Sequence, residues 1–321
     1  MIHYVTISFR SYIFKAACLI RSHYLHASQA RFWFGAMDQD AERIMRMLDF
    51  PGLNIFTLGE IETPELLAVK SERSETEYAQ TMKTASLQYV FSKVAEGDWI
   101  VLVDADMMFF GDLASELPVK DASVLVCPHN YTPLFKKFEK LVGYINGGIV
   151  GFRKDAHGAA TLDWWQESCL AWCSLIQEEH RYGDQKYMSE FHTRFKGVVE
   201  IQNLGIDTAP WNAIERQISV RDKRVFIEDF PLVAYHFQGL RQITDSVFNI
   251  YADETIRIPD PLRRLVYAPY IAAMHKVTGD IIEMYPDAQE YLEGIHPRFV
   301  VQELKKWVLG KSNLMVASQY T

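Results

Sequence analysis

Trp99-Ile-Val-Leu-Val-Asp104-Ala-Asp106-Met-Met-Phe-Phe110 is an apolar run interrupted by two carboxylates one residue apart. A β-branched run of this kind reads as a central strand buried on both faces. The end of such a strand is where an open α/β sheet places its ligand. Alternate strand residues point to the same side, so Asp104 and Asp106 are expected to project together into one crevice. Two carboxylates buried side by side are costly, and a divalent cation relieves that cost. Solvated turn aspartates or helix caps would explain the same tripeptide.

Upstream of this run the pattern alternates. It predicts a strand over 4–7, a helix over 12–26, a strand over 31–36, a helix over 39–48 and a strand over 53–58, then helical material to 94. Such β-α-β alternation implies an α/β domain with a mainly parallel central sheet flanked by helices. The polar stretch 71–77 suits an exposed loop or a helix start beside the crevice, or simply a solvated surface. Downstream, strands are expected over 123–127 and 145–152, with a helix-like segment over 134–141 between them. A long helix is expected over 156–177, where Leu162, Trp165, Cys169, Trp172, Cys173 and Ile176 fall at steps of three and four and mark one buried stripe. Gly183 ends this helical region, and the next element is expected over 185–191. From 256 onward, after Pro259 and Pro261, the chain reads as mostly helical, with amphipathic stripes that cap the domain or form a partner surface.

With 321 residues, 49% of them hydrophobic, the chain can bury a substantial core. A net charge of −8 spread along the sequence gives no support for nucleic-acid binding. Cys18, Cys127, Cys169 and Cys173 form no Cys-x-x-Cys and are read as reduced core residues. The N-terminus begins as a strand, without the pattern of a signal peptide, and no stretch approaches the roughly 18 apolar residues that a membrane span requires. A cytoplasmic protein is expected, with peripheral contact at the inner face of a membrane as a further option.

Four segments add chemistry to the carboxylate pair. In Tyr144-Ile-Asn146-Gly147-Gly148, an amide precedes two glycines that let backbone approach a ligand, and Asn146 can both donate to and accept from a sugar hydroxyl. An Asn-Gly turn leading into a strand is the structural alternative. Gly183-Asp184-Gln185 opens a helical element in which Asp184 suits an N-cap, whereas Gln185 has no comparable structural role. Ala209-Pro210-Trp211-Asn212 offers an aromatic face and an amide to an acceptor sugar, or a packing plug. Finally, Tyr235-His236-Phe237-Gln238-Gly239-Leu240-Arg241 ends a strand in an imidazole followed by glycine and a cation. His236 can complete a two-carboxylate, one-imidazole site compatible with manganese, with magnesium as the alternative, while Gly239 and Arg241 fit diphosphate recognition.

In order and character these segments resemble the retaining glycosyltransferases of the glycogenin and bacterial lipopolysaccharide galactosyltransferase group. That group uses the nucleotide-diphospho-sugar transferase fold called GT-A. The likeness spans roughly residues 1–241. It implies a GT-A domain over 1–255, with a nucleotide-binding half over about 1–110 and an acceptor-side half over about 111–255, followed by a helical C-terminal extension over 256–321. It assigns Asp104, Asp106 and His236 to manganese, and Thr6, Ser8, Tyr12, Asp104, Ala105, Asn146, Gly147, Gly148, Gly239 and Arg241 to the donor. Asp184 holds the donor sugar, Gln185 lies beside its anomeric carbon, and Trp211 and Asn212 face the acceptor.

The chain departs from the group at Ser8-Phe9-Arg10-Ser11-Tyr12, where Phe9 stands near the usual acidic position and Tyr12 keeps the base-stacking role. It also lacks the Lys-Pro-Trp that usually follows the last glycine, and Arg241 would substitute for that charge. The implied reaction moves a sugar with retention from a nucleoside diphosphate, UDP favoured, to a glycan, lipid-linked or protein acceptor. The alternatives are an inverting enzyme of the same fold, a haloacid-dehalogenase-like phosphatase and a catalytically silent sugar-binding protein. The phosphatase motif normally lies on the first strand and continues with Thr or Val, unlike Met107-Met-Phe-Phe110.

Overall fold

A computed structural model describes residues 1–26, 29–252, 256–295 and 297–320. A seven-stranded sheet has the order β3-β2-β1-β4-β7-β6-β8. Its strands are β1 Ile2–Ser8, β2 Arg31–Ala36, β3 Asn54–Thr57, β4 Trp99–Val103, β6 Val124–Pro128, β7 Ile145–Arg153 and β8 Val198–Glu200. Every neighbouring pair is parallel except the two made by β7. This is the mainly parallel α/β sheet that the alternation predicts. All five residues of β4 are buried, as a strand covered on both faces requires.

The reversal of β7 positions the site. Because β7 runs against β4, its first residues lie beside the last residues of β4, with Val103 opposite Ile149. The Asn146-Gly147-Gly148 stretch therefore meets the two aspartates, and the amide of Asp104 donates to Gly148 O at 2.9 Å. A parallel β7 would have carried Asn146 to the far edge of the sheet.

A second pairing completes the approach. Strand β5, Met107–Phe109, leaves the main sheet and pairs antiparallel with β12, Ala234–His236, so that His236 stands opposite Met107. The run Trp99–Phe110 is thus two strands joined by a tight turn, in which the amide of Met107 donates to Asp104 O at 3.1 Å. That turn, rather than strand alternation, makes the carboxylates converge. The remaining strands are β9 Ile218–Arg221, β10 Arg224–Ile227 and β11 Phe230–Pro231 in one small sheet, and β13 Arg241–Gln242, β14 Val247–Asn249 and β15 Leu314–Val316 in another.

The helix expected over 156–177 ends earlier, as Ala156–Ala171. Leu162, Trp165 and Cys169 are buried as the stripe requires, but Ile176 is 73% exposed. The helix Glu75–Lys93 explains the early stop. Its capping-box residue Glu77 also accepts from the amide of Leu175 and the hydroxyl of Ser174, at 2.9 and 2.7 Å, which draws this segment out of helical register. The serine hydroxyls and amides on Glu77 hold its carboxyl down at about 2. All four cysteines are free and buried.

At the C-terminal end, helix Ala268–Met284 lies against helix Ile13–Leu25, with an ion pair Arg21–Asp280 at 2.9 Å. The expected boundary at 255/256 borders residues 253–255, which lie outside the described residues. In helix Pro297–Val308, Glu303 is buried and bonded to Asn249, whereas Leu304, Trp307 and Val308 are 57%, 71% and 75% exposed. No helix among the described residues is long and apolar enough to cross a membrane.

Candidate active site

The ends of β1, β4, β7 and β12 and the start of helix Glu75–Lys93 enclose a cavity of about 870 Å³. Asp104, Asp106 and His236 line it, each offering a ligand atom within 4.8 Å of the others. The strand pairing described above delivers His236. Its amide donates to Thr208 O at 2.7 Å, the amide of Phe237 donates to Asp106 O at 2.9 Å, and the ring meets Asp106 Oδ1 through Nε2 at 3.1 Å. Two carboxylates and an imidazole at this spacing form a donor set suited to a divalent cation.

The electrostatics follow from burial. Burial would discharge the His236 imidazolium, but the charge and hydrogen bond of Asp106, joined by Asp207, outweigh it and hold the group protonated up to about 10. Burial likewise opposes ionisation of Asp106, yet His236 drives its carboxyl well below the usual range. Asp104 goes the other way. Its burial prevails over the pull of Lys83 and His236, and its carboxyl rises to about 6.

Lys83, in the middle of helix Glu75–Lys93, escapes sequence reasoning because a lysine on a helix is ordinarily solvated. Its Nζ lies 2.6 Å from Asp104 Oδ1 and 3.7 Å from Asp184 Oδ2, and these two acids keep it charged despite burial. Asp184 is not the N-cap of the turn that follows. Its carboxylate faces Lys83, and Oδ2 has no hydrogen-bond partner. Gln185 bridges the start of β7 and the short helix Glu139–Val142, accepting from the amide of Gly147 at 3.0 Å and donating to Val142 O at 3.1 Å, while also lining the cavity.

Of the expected donor residues, Ser8, Tyr12, Ala105, Asn146, Gly239 and Arg241 line the cavity. Tyr12 is exposed at the mouth, with Lys15 over its ring at 4.2 Å. Arg241 lies half exposed, 3.8 Å from Glu293. Thr6 is buried within β1, outside the lining. Gly147 and Gly148 act behind it. A β-carbon on Gly148 would meet His236 Nδ1, Asn146 Oδ1 and Asp207 Oδ1 at 2.7 to 2.8 Å, so no side chain fits there.

Trp211 lines the cavity and stands edge-on to His236, with ring centroids 5.5 Å apart. Asn212 turns inward and spends its amide on His129 O, Asp207 O and the amide of Ala209. His129 also lines the cavity; burial lowers its imidazole to about 3, and it stacks on Tyr131.

No protein-family model matches the chain. Two proteins of Bacillus subtilis (strain 168) do, both described as uncharacterized. YfnD is 31% identical over 307 residues, covering 94% of this chain and 96% of its own length, and YfnF is 30% identical over 249 residues, covering 75% and 82%. Among solved structures, the galactosyltransferase LgtC in complex with donor and acceptor sugar analogs superposes with a TM-score of 0.52 at 12% identity, covering 74% of this chain and 87% of that one. At that identity the likeness shows the fold, which is GT-A. Built on that fold, and similar to YfnD from end to end, the chain belongs to the family of YfnD and YfnF.

Proposed function

We propose that this protein is a metal-dependent glycosyltransferase that moves a sugar from a nucleoside diphosphate, UDP favoured, to an acceptor hydroxyl. We further assign it retention of anomeric configuration and a role in bacterial surface glycan or other glycoconjugate synthesis. The observation that carries this reading is the convergence of Asp104, Asp106 and His236 in one cavity with Lys83, Asp184 and Gln185.

A divalent cation held by Asp104, Asp106 and His236 would supply Lewis-acid stabilisation where negative charge grows on the leaving diphosphate. The chain's own residues do the rest. Lys83 keeps two buried acids from repelling each other, and it orients Asp184 toward the donor sugar. Asn146 offers its amide beside them. Gln185, clamped between Gly147 and Val142, faces the anomeric carbon with little freedom to move. Tyr12 at the mouth offers its ring to the base, and Gly239 with Arg241 borders the diphosphate. Trp211 marks the acceptor side, where a glycan, lipid-linked or protein hydroxyl would enter.

In this reading residues 1–255 form the transferase domain, its nucleotide half over about 1–110 and its acceptor half over about 111–255. Residues 256–321 form an extension. The exposed apolar face of helix Pro297–Val308, edged by Lys305, supports a cytoplasmic protein resting on the inner face of a membrane.

Thermal melts against a panel of nucleotide sugars, with and without Mn2+, test the reading. Manganese-dependent stabilisation by one donor is expected, and the anomeric configuration of the product, read by NMR, checks retention. No stabilisation by any donor, or release of phosphate from simple esters in the absence of one, would overturn it.

A further inference from the structure

We propose that Asp207 is a positioning residue for the metal centre: its carboxylate accepts the Nδ1 proton of His236 and so aims Nε2, which gives up its own proton to solvent when a cation binds, at Asp104 and Asp106. This rests on the metal-dependent reading above and adds a residue that no motif in the sequence points to.

Asp207 lies outside the cavity lining, and among the described residues its carboxylate meets the site through the ring of His236. Its side chain is 1% exposed, its Oδ1 lies 3.4 Å from His236 Nδ1, and neither carboxylate oxygen has a hydrogen-bond partner. A buried carboxylate facing a single partner is expensive, and an apolar residue would serve stability better. Asp207 has φ +54°, a left-handed conformation that Asp and Asn adopt more readily than other non-glycine residues, and its neighbours hold it there. The amide of the next residue, Thr208, donates to Ala234 O at 3.1 Å, and Thr208 O receives the amide of His236 at 2.7 Å. Asn212 holds Asp207 O at 3.2 Å.

Gly148 completes the cradle, leaving room for His236, Asn146 and Asp207 to meet over its α-carbon. The distance to Nδ1 is long for a hydrogen bond, as such contacts often are before the ligand arrives. A ligating histidine generally donates its other ring N–H to such a partner, and loss of that partner typically weakens metal affinity 10- to 100-fold.

The experiment titrates Mn2+ into the full chain and reads free Mn2+ by its EPR signal, for wild type, Asp207→Asn and Asp207→Ala. Asn tolerates the left-handed backbone and keeps the volume, so that variant is expected to melt within a few degrees of wild type. The dissociation constant is expected to rise by about 10-fold in Asn and by up to about 100-fold in Ala. Long-range 1H–15N spectra with Cd2+ as a diamagnetic probe add a readout that looser packing would not move. Wild-type His236 should carry its proton on Nδ1 alone, and Asp207→Ala should show mixed tautomers. Affinity within twofold of wild type in both variants, with an unchanged tautomer, overturns the proposal alone. No Mn2+ uptake by wild type overturns the metal reading and this proposal with it.

Discussion

The cavity and the helix Pro297–Val308 break the ordinary partition of side chains in opposite directions. Around His236 the protein gathers six charged groups: Asp184, Asp207 and His236 are buried, and Lys83, Asp104 and Asp106 are largely covered beside them. On the helix it turns Leu304, Trp307 and Val308 outward and Glu303 inward. A fold optimised for stability alone would do neither. The difference lies in how each is held. Asp104, Asp106 and His236 are pinned by backbone bonds at strand ends and Lys83 by its helix, so they are costly to disturb. The apolar side chains Leu304, Trp307 and Val308 are mostly exposed, so altering them should cost the fold little.

The sharpest way to break the comparison is Asp106→Ala, which removes one metal donor and the partner of His236. Sugar transfer should fall by at least about 100-fold, and Mn2+ uptake by EPR should be lost. Full activity would remove the metal from the account. Next is Lys83→Met, which leaves Asp104 and Asp184 buried without their cation. Breaking a buried pair by removing one partner costs about 3–5 kcal/mol, and urea denaturation should show a loss of that order, reduced to the extent that Asp104 takes up a proton.

A subtler probe is pH. His129 is held neutral with its folded value depressed to about 3, below its ordinary 6.5. The unfolded chain therefore binds the extra proton first as pH falls. The stability contributed by His129 is complete above pH 6.5 and drains away between there and about 3, by up to a few kcal/mol. Comparing urea midpoints of wild type and His129→Phe at pH 7 and pH 4 should show a flatter dependence in the variant. The smallest effect on the fold is expected from Leu304→Ser with Val308→Ser. Stability should move by no more than about 0.5 kcal/mol, while co-sedimentation with phosphatidylglycerol-containing vesicles should drop severalfold. A large loss of stability would mean that this face is packed in solution.

Much of the site was legible because it lies at strand ends. The apolar run into Asp104, the Asn146-Gly147-Gly148 start of β7 and the strand before His236 each announce themselves by pattern, and pattern is what a buried strand imposes on sequence. What remained hidden depends on partners far away in the chain. The early end of the helix at Ala171 is set by Glu77, nearly a hundred residues upstream. Lys83 reads as an ordinary helical lysine until two acids from other elements close on it. Asp207 reads as a loop aspartate, since neither its left-handed backbone nor its single partner leaves a trace in composition. The convergence of Asp104 and Asp106 was anticipated, but through alternation along one strand; the turn that achieves it is fixed by Gly148 across the sheet.

One consequence of the β13-β14-β15 sheet concerns synthesis on the ribosome. Arg241, at the rim of the cavity, sits on β13, whose neighbour β14 is completed by β15 at Leu314–Val316. The proposed metal-binding trio has been synthesised by residue 236, yet that border stays unfinished until some eighty further residues follow. The nascent chain would thus acquire the proposed catalytic groups well before it can complete the border of their cavity.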